Sequence, residues 1–183
     1  MKKFLGPTLI IFIVLLSTSC NMGRPPLIQN TPSMELTLVY QDEPYHSFED
    51  VSATVILKNV GKKSLLVNKR LFFMTEKYPP EMIEGVLLIT DSSGNQISLN
   101  GFIDIAFPEE EFFIVLDPGQ SVERNLSLRN VGFSPQYFTK NEPYTVVIIY
   151  QNSLEVTKFV DDKEVKSWIG EVQSNSDTFM IIH

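Results

Sequence analysis

Residues 141–150 read NEPYTVVIIY. A turn-forming Asn-Glu-Pro runs into seven consecutive residues that are all aromatic or β-branched. Such side chains crowd a helical backbone but fit the pleated surface of a strand. A turn precedes the run, and it reads as the most apolar, buried strand of the chain. Val146 and Ile148 fall on one face and Val147 and Ile149 on the other. Since both faces are apolar, the pattern predicts a strand covered on both sides. In a two-layer sheet protein one face ordinarily meets water, so something further must cover it. The apolar mass available lies in two aromatic segments: 68–82, with Phe72, Phe73, Met74 and Tyr78, and 130–143, with Phe133, Tyr137 and Phe138.

Working outward, short strands recur. Met34, Leu36, Leu38 and Tyr40 alternate onto one face, as do Val51, Ala53, Val55 and Leu57. Residues 64–67, 85–90, 96–99, 112–116, 121–128, 170–172 and 178–182 read as further strands. Asp91-Ser92-Ser93-Gly94-Asn95 between two of them is a hairpin signal, and Asp117-Pro118-Gly119-Gln120 has the Pro-then-Gly order of a type II turn. No amphipathic helix stands out. Regular short strands punctuated by turns predict an all-β domain over residues 34–183, an antiparallel sandwich or barrel.

One local detail favours the sandwich. Asn141-Glu142-Pro143-Tyr144-Thr145-Val146 resembles the tyrosine corner of immunoglobulin-like domains, in which the hydroxyl returns to nearby backbone. Together with Leu116-Asp117-Pro118-Gly119-Gln120-Ser121-Val122, it resembles bacterial extracytoplasmic immunoglobulin-like modules. The resemblance implies an immunoglobulin-like antiparallel β-sandwich following the N-terminal segments. The Cys-Trp-Cys core of antibody domains is missing, and Trp168 is expected to plug the core or an edge.

The chain starts MKKFLGPTLIIFIVLLSTSC. Two lysines, a short apolar run and small residues have the shape of a secretory signal, and the run is too short to span a bilayer. Leu16-Ser17-Thr18-Ser19-Cys20 resembles the bacterial lipobox, with Ser17 where Leu is more usual. That resemblance implies a signal peptide over 1–19, cleavage between Ser19 and Cys20, and a diacylglyceryl anchor on the Cys20 thiol. Cys20 is the only cysteine, so lipidation would leave the mature domain without a disulfide or a thiol nucleophile. Residues 20–33, with Pro25, Pro26 and Pro32, read as the lipidated cysteine and an extended tether. The expected location is the cell envelope. With Asn rather than Asp at position 21, the resemblance favours the outer membrane where there are two membranes, and otherwise the outer face of the plasma membrane.

Removing residues 1–19 leaves 164 of the 183 residues, with 13 basic against 22 acidic side chains, a net charge of −9. Basic runs no longer than Lys62-Lys63 and Lys69-Arg70 argue against nucleic-acid binding. The only histidines are His46, in a polar loop, and His183, at the C-terminus, where fraying is expected. Neither a G-x-S-x-G elbow nor an H-E-x-x-H helix is present. Acidic clusters at Asp42-Glu43, Glu49-Asp50, Glu109-Glu110-Glu111 and Asp161-Asp162 could offer oxygens to Ca²⁺, but solvated loops explain them as well. No catalytic, cofactor-binding or metal residue is therefore assigned. The expected function is a lipid-anchored binding domain for a protein, peptide or glycan, with its loops as the contact surface. An envelope hydrolase with a carboxylate site and a proteinase-inhibitor-like module are the alternatives.

Overall fold

The computed structural model describes residues 33–41, 44–74, 84–98, 109–139 and 141–183. Residues 1–32, and with them the expected signal peptide, Cys20 and nearly all of the expected tether, lie outside the described residues, as do Asp42 and Glu43.

The protein is an all-β sandwich. Its first sheet is antiparallel, in the order β1 (Met34–Tyr40), β2 (Ser52–Asn59), β8 (Ser121–Ser127). The second is built on β9 (Pro143–Asn152), the long strand around which the sequence turns. One edge of β9 pairs with β5 (Gly85–Thr90), which carries β4 (Phe73–Met74) in parallel and β6 (Gln96–Ile97) antiparallel. The other edge is shared by β12 (Gly170–Gln173) and β13 (Asp177–Met180). Two smaller ladders complete the fold: β3 (Leu65–Asn68) with β7 (Phe113–Leu116), and the hairpin β10 (Thr157–Val160) with β11 (Lys163–Lys166). Among the described residues no helix is long and apolar enough to cross a membrane.

The alternation in β1 and β2 is realised. Met34, Leu36 and Leu38 face inward with Ala53, Val55 and Leu57, and all six are buried. They meet Leu87, Ile89, Val146, Ile148, Tyr150 and Phe179 of the second sheet in one continuous core. Gly85 is dictated by close approach: a Cβ there would lie 2.2 Å from the Ile149 carbonyl oxygen and 2.6 Å from the Phe73 ring.

The expectation that β9 is buried on both faces is corrected. Tyr144, Val146, Ile148 and Tyr150 are buried, but Val147 and Ile149 are only half-buried, as are their ladder neighbours Leu88 and Val86. Phe73 and Phe138 are buried in the inner core, and Phe133 with them. Phe138 stacks on Phe48 and packs edge-on to Tyr144, which in turn stacks on Phe179. These rings pack within the core between the sheets, and residues 75–83 lie outside the described residues. Trp168 stacks on Tyr150 at 5.7 Å between ring centres, at the rim of the same core.

The Tyr45 hydroxyl ties backbone across a turn. It donates to the Ser52 carbonyl (2.8 Å) and accepts from the Gln41 N–H (3.1 Å). His183 is held rather than frayed. Its N–H donates to Asn141 Oδ1 (2.9 Å), and its ring Nε2 lies 2.9 Å from the Phe138 carbonyl oxygen.

Candidate functional site

A sandwich must manage its sheet edges, because an edge strand presents unpaired N–H and C=O groups. Here the edge of β1 comes alongside β12 and β13. In an antiparallel pair, successive residues point their backbone groups alternately toward and away from the partner. Glu35, Thr37 and Val39 point toward β2, so Met34, Leu36, Leu38 and Tyr40 point out of the first sheet. Two side chains of the 174–177 connection satisfy the upper half of that edge. Asn175 accepts from the Leu38 N–H (2.8 Å) and donates to the Leu38 carbonyl (2.9 Å), as a paired strand residue would. The Asp177 carboxylate accepts from the Tyr40 N–H (3.1 Å). Ser174 anchors this connection to β9: its N–H donates to the Ile148 carbonyl (2.8 Å), and its hydroxyl accepts from the Ile148 N–H (3.0 Å).

Below Asn175 the seam opens into a groove of about 640 Å³. Met34, Leu36, Val60, Val172, Gln173 and Asn175 are among the residues that line it. Among the described residues, the outward N–H and C=O of Leu36 have no hydrogen-bond partner. On the far wall, β12 uses Val172 and Gly170 to pair with β9, which turns the backbone of Gln173 and Glu171 outward. The groove therefore lies between two strand edges. Its carboxylate is that of Glu35, an exposed side chain on the solvent face of β1. Lys58 stands opposite Glu35 in the ladder, yet among the described residues Glu35 makes no ion pair.

Among the described residues Glu84 is a buried carboxylate with a structural role. Its Oε1 accepts from Asn68 Nδ2 (2.8 Å) and Arg70 Nε (2.9 Å) and lies 2.6 Å from a terminal nitrogen of Arg70. Its Oε2 accepts from the Phe72 N–H (2.9 Å). Three nitrogens thus converge on Oε1 and one backbone N–H on Oε2, which holds the carboxylate in place. Arg70 in turn lies over the Phe72 and Phe112 rings. Arg124 caps the Arg70 and Leu71 carbonyls, and burial lowers its pKa. Leu71 is fully buried at φ +44°, a conformation unfavourable for leucine, which these bonds hold in place. Burial likewise pushes the Tyr150 hydroxyl pKa well up, and that hydroxyl accepts from the Asn68 N–H at 3.2 Å.

The other sequence candidates remain apart. His46 is exposed in its loop. Glu49 and Asp50 sit in a single 3₁₀ turn capped by Ser47. Glu110 and Glu111 begin another such turn. Asp161 and Asp162 form the two-residue loop of the β10–β11 hairpin at φ +49° and +63°, the geometry of a type I′ turn, so turn chemistry accounts for that pair. Among the described residues no three His, Cys, Asp or Glu side chains gather to hold a metal ion. Cys20 and the Ser19–Cys20 bond lie outside the described residues.

No family model matches the chain, and no curated protein matches it significantly. The seam was invisible in the sequence. Ser174-Asn175-Ser176-Asp177 reads as an ordinary turn, and only the folded chain shows Asn175 and Asp177 standing in for a strand.

Proposed function

We propose that the chain is a lipid-anchored cell-envelope protein that presents its β-sandwich, immunoglobulin-like in type, as a binding module. The observation that carries this reading is the position of Cys20: the sole cysteine, directly after an apolar run and three small hydroxyl residues. The binding role is supported by what the domain offers a ligand. Its groove is lined mainly by apolar side chains and open strand edges, with one carboxylate at the rim. A hydrolase acting through paired carboxylates needs two of them facing across a cleft. Glu84, another carboxylate of note, is buried and held by Asn68, Arg70 and the Phe72 N–H.

The test is expression of the full-length chain and its Cys20→Ala variant with labelled palmitate in a bacterial host. The native sequence is expected to take up label and sediment with membranes, and the variant is expected to stay unlabelled and unprocessed. A variant that still sediments at the mature size overturns the lipoprotein reading.

A further inference from the structure

We propose that the groove between β1 and β12 receives an extended peptide whose residues alternate between apolar and basic, and that this peptide adds a strand to the β1 edge. The inference rests on the reading of the domain as a binding module, and it names the partner's chemistry. Three observations set the chemistry. First, the Asn175 side chain already makes, at Leu38, the paired bonds of an added strand. The next outward positions along β1 are Leu36 and Met34, and the Leu36 backbone is without a partner among the described residues. A strand continuing the line of Asn175 would meet them with residues two apart, as edge recognition does.

Second, directly paired residues of neighbouring strands share a face. Peptide residues bonded to Leu36 and Met34 would point inward with those two buried side chains, into a space lined by Val60 and Val172. Those residues must be apolar. Third, the intervening peptide residues point to the solvent face, where Glu35 sits without an ion pair among the described residues. Glu171 stands exposed and likewise unpaired on the β12 side. Those peptide residues are basic by charge complementarity, which favours encounter as well as register. The expected partner is thus a segment of another envelope protein with lysine or arginine at every second position.

The probe is a fluorescein-labelled Val-Lys-Val-Lys-Val-Lys-Val peptide, titrated by anisotropy against the full-length protein in neutral detergent. Two N-methylated versions separate backbone pairing from simple adhesion. Methyl groups on the valine nitrogens remove the N–H groups that would bond β1, whereas methyl groups on the lysine nitrogens leave them. The expected result is saturable binding, weakened about tenfold or more by valine methylation through the loss of two or more hydrogen bonds. Lysine methylation should weaken it less. Glu35→Lys, at an exposed position, should also weaken binding and flatten its salt dependence. Amide exchange should slow at Leu36 on binding. Absent saturable binding, equal loss from both methylation patterns, or protection elsewhere with Leu36 unchanged would each overturn the proposal. None of these outcomes bears on palmitate labelling at Cys20, so the groove can fail while the lipoprotein reading stands.

Discussion

Tyr150 shows how a residue legible as core can carry a second task that the sequence hides. Its place in NEPYTVVIIY marks it as buried, and it is. Nothing in that pattern says that its hydroxyl would accept the Asn68 N–H beside the Glu84 network. Tyr150→Phe keeps the ring and strands that N–H, so a cost of about 1–3 kcal/mol in urea denaturation at neutral pH is expected. Burial, countered in part by the Asn68 N–H, raises the hydroxyl pKa in the folded state. The folded chain then keeps a proton that the unfolded chain releases near pH 10. This contribution is fully present below that pH and is lost as pH rises toward the folded-state value, and Tyr150→Phe should remove that part of the alkaline limb. Glu49 has the opposite sign. The Ser47 hydroxyl hydrogen bond, then its own backbone N–H, hold its carboxyl below the usual range. Its contribution is present above the unfolded pKa and is lost as pH falls through the folded one. Ser47→Ala should move the Glu49 titration, followed by carboxyl NMR, upward; an unchanged midpoint would remove the hydroxyl as the cause. Tyr45 shows what local motif reading leaves out: it makes hydroxyl-to-backbone bonds across a turn that the sequence does not mark.

At the scale of elements, period-two alternation was reliable in β1, whose limits 34–40 were legible to the residue. The limits 85–90 of β5 were equally legible, from the hairpin signal that follows them. β9 misled because its outer face is apolar without being fully covered: Val147 and Ile149 are half-buried. Hydrophobicity reports what a face tolerates, and coverage depends on the rest of the fold. Ile148→Ala should therefore cost about 2–5 kcal/mol, as large-to-small core changes do. Ile149→Ala should cost clearly less, and equal losses in chemical denaturation would mean that the outer face is as enclosed as the inner. The β10–β11 hairpin was missed for the opposite reason. Lys158, Phe159, Glu164 and Lys166 make it mixed in character, with Phe159 76% exposed and Val165 buried against Leu66 and Phe113. Its one sequence signal was Asp161-Asp162, which read as an acidic cluster until both residues were seen at positive φ.

At the scale of the whole molecule, the proposed address rests on one short stretch, residues 15–20, while the proposed binding groove rests on no local stretch. All-β architecture could be read from strand spacing. The β1–β12 seam could not, because it depends on residues 137 positions apart, Leu38 and Asn175. Such long-range juxtaposition leaves no periodic trace, so the groove emerges only from the fold. The central claim is that this sandwich is displayed from the envelope by a lipid on Cys20. Intact-mass analysis of the protein extracted from the membranes of its bacterial host tests it most directly. The expected species is a chain beginning at Cys20 with a diacylglyceryl group added to its thiol. A chain that retains residues 1–19, or one that begins elsewhere with a free Cys20 thiol, would contradict it.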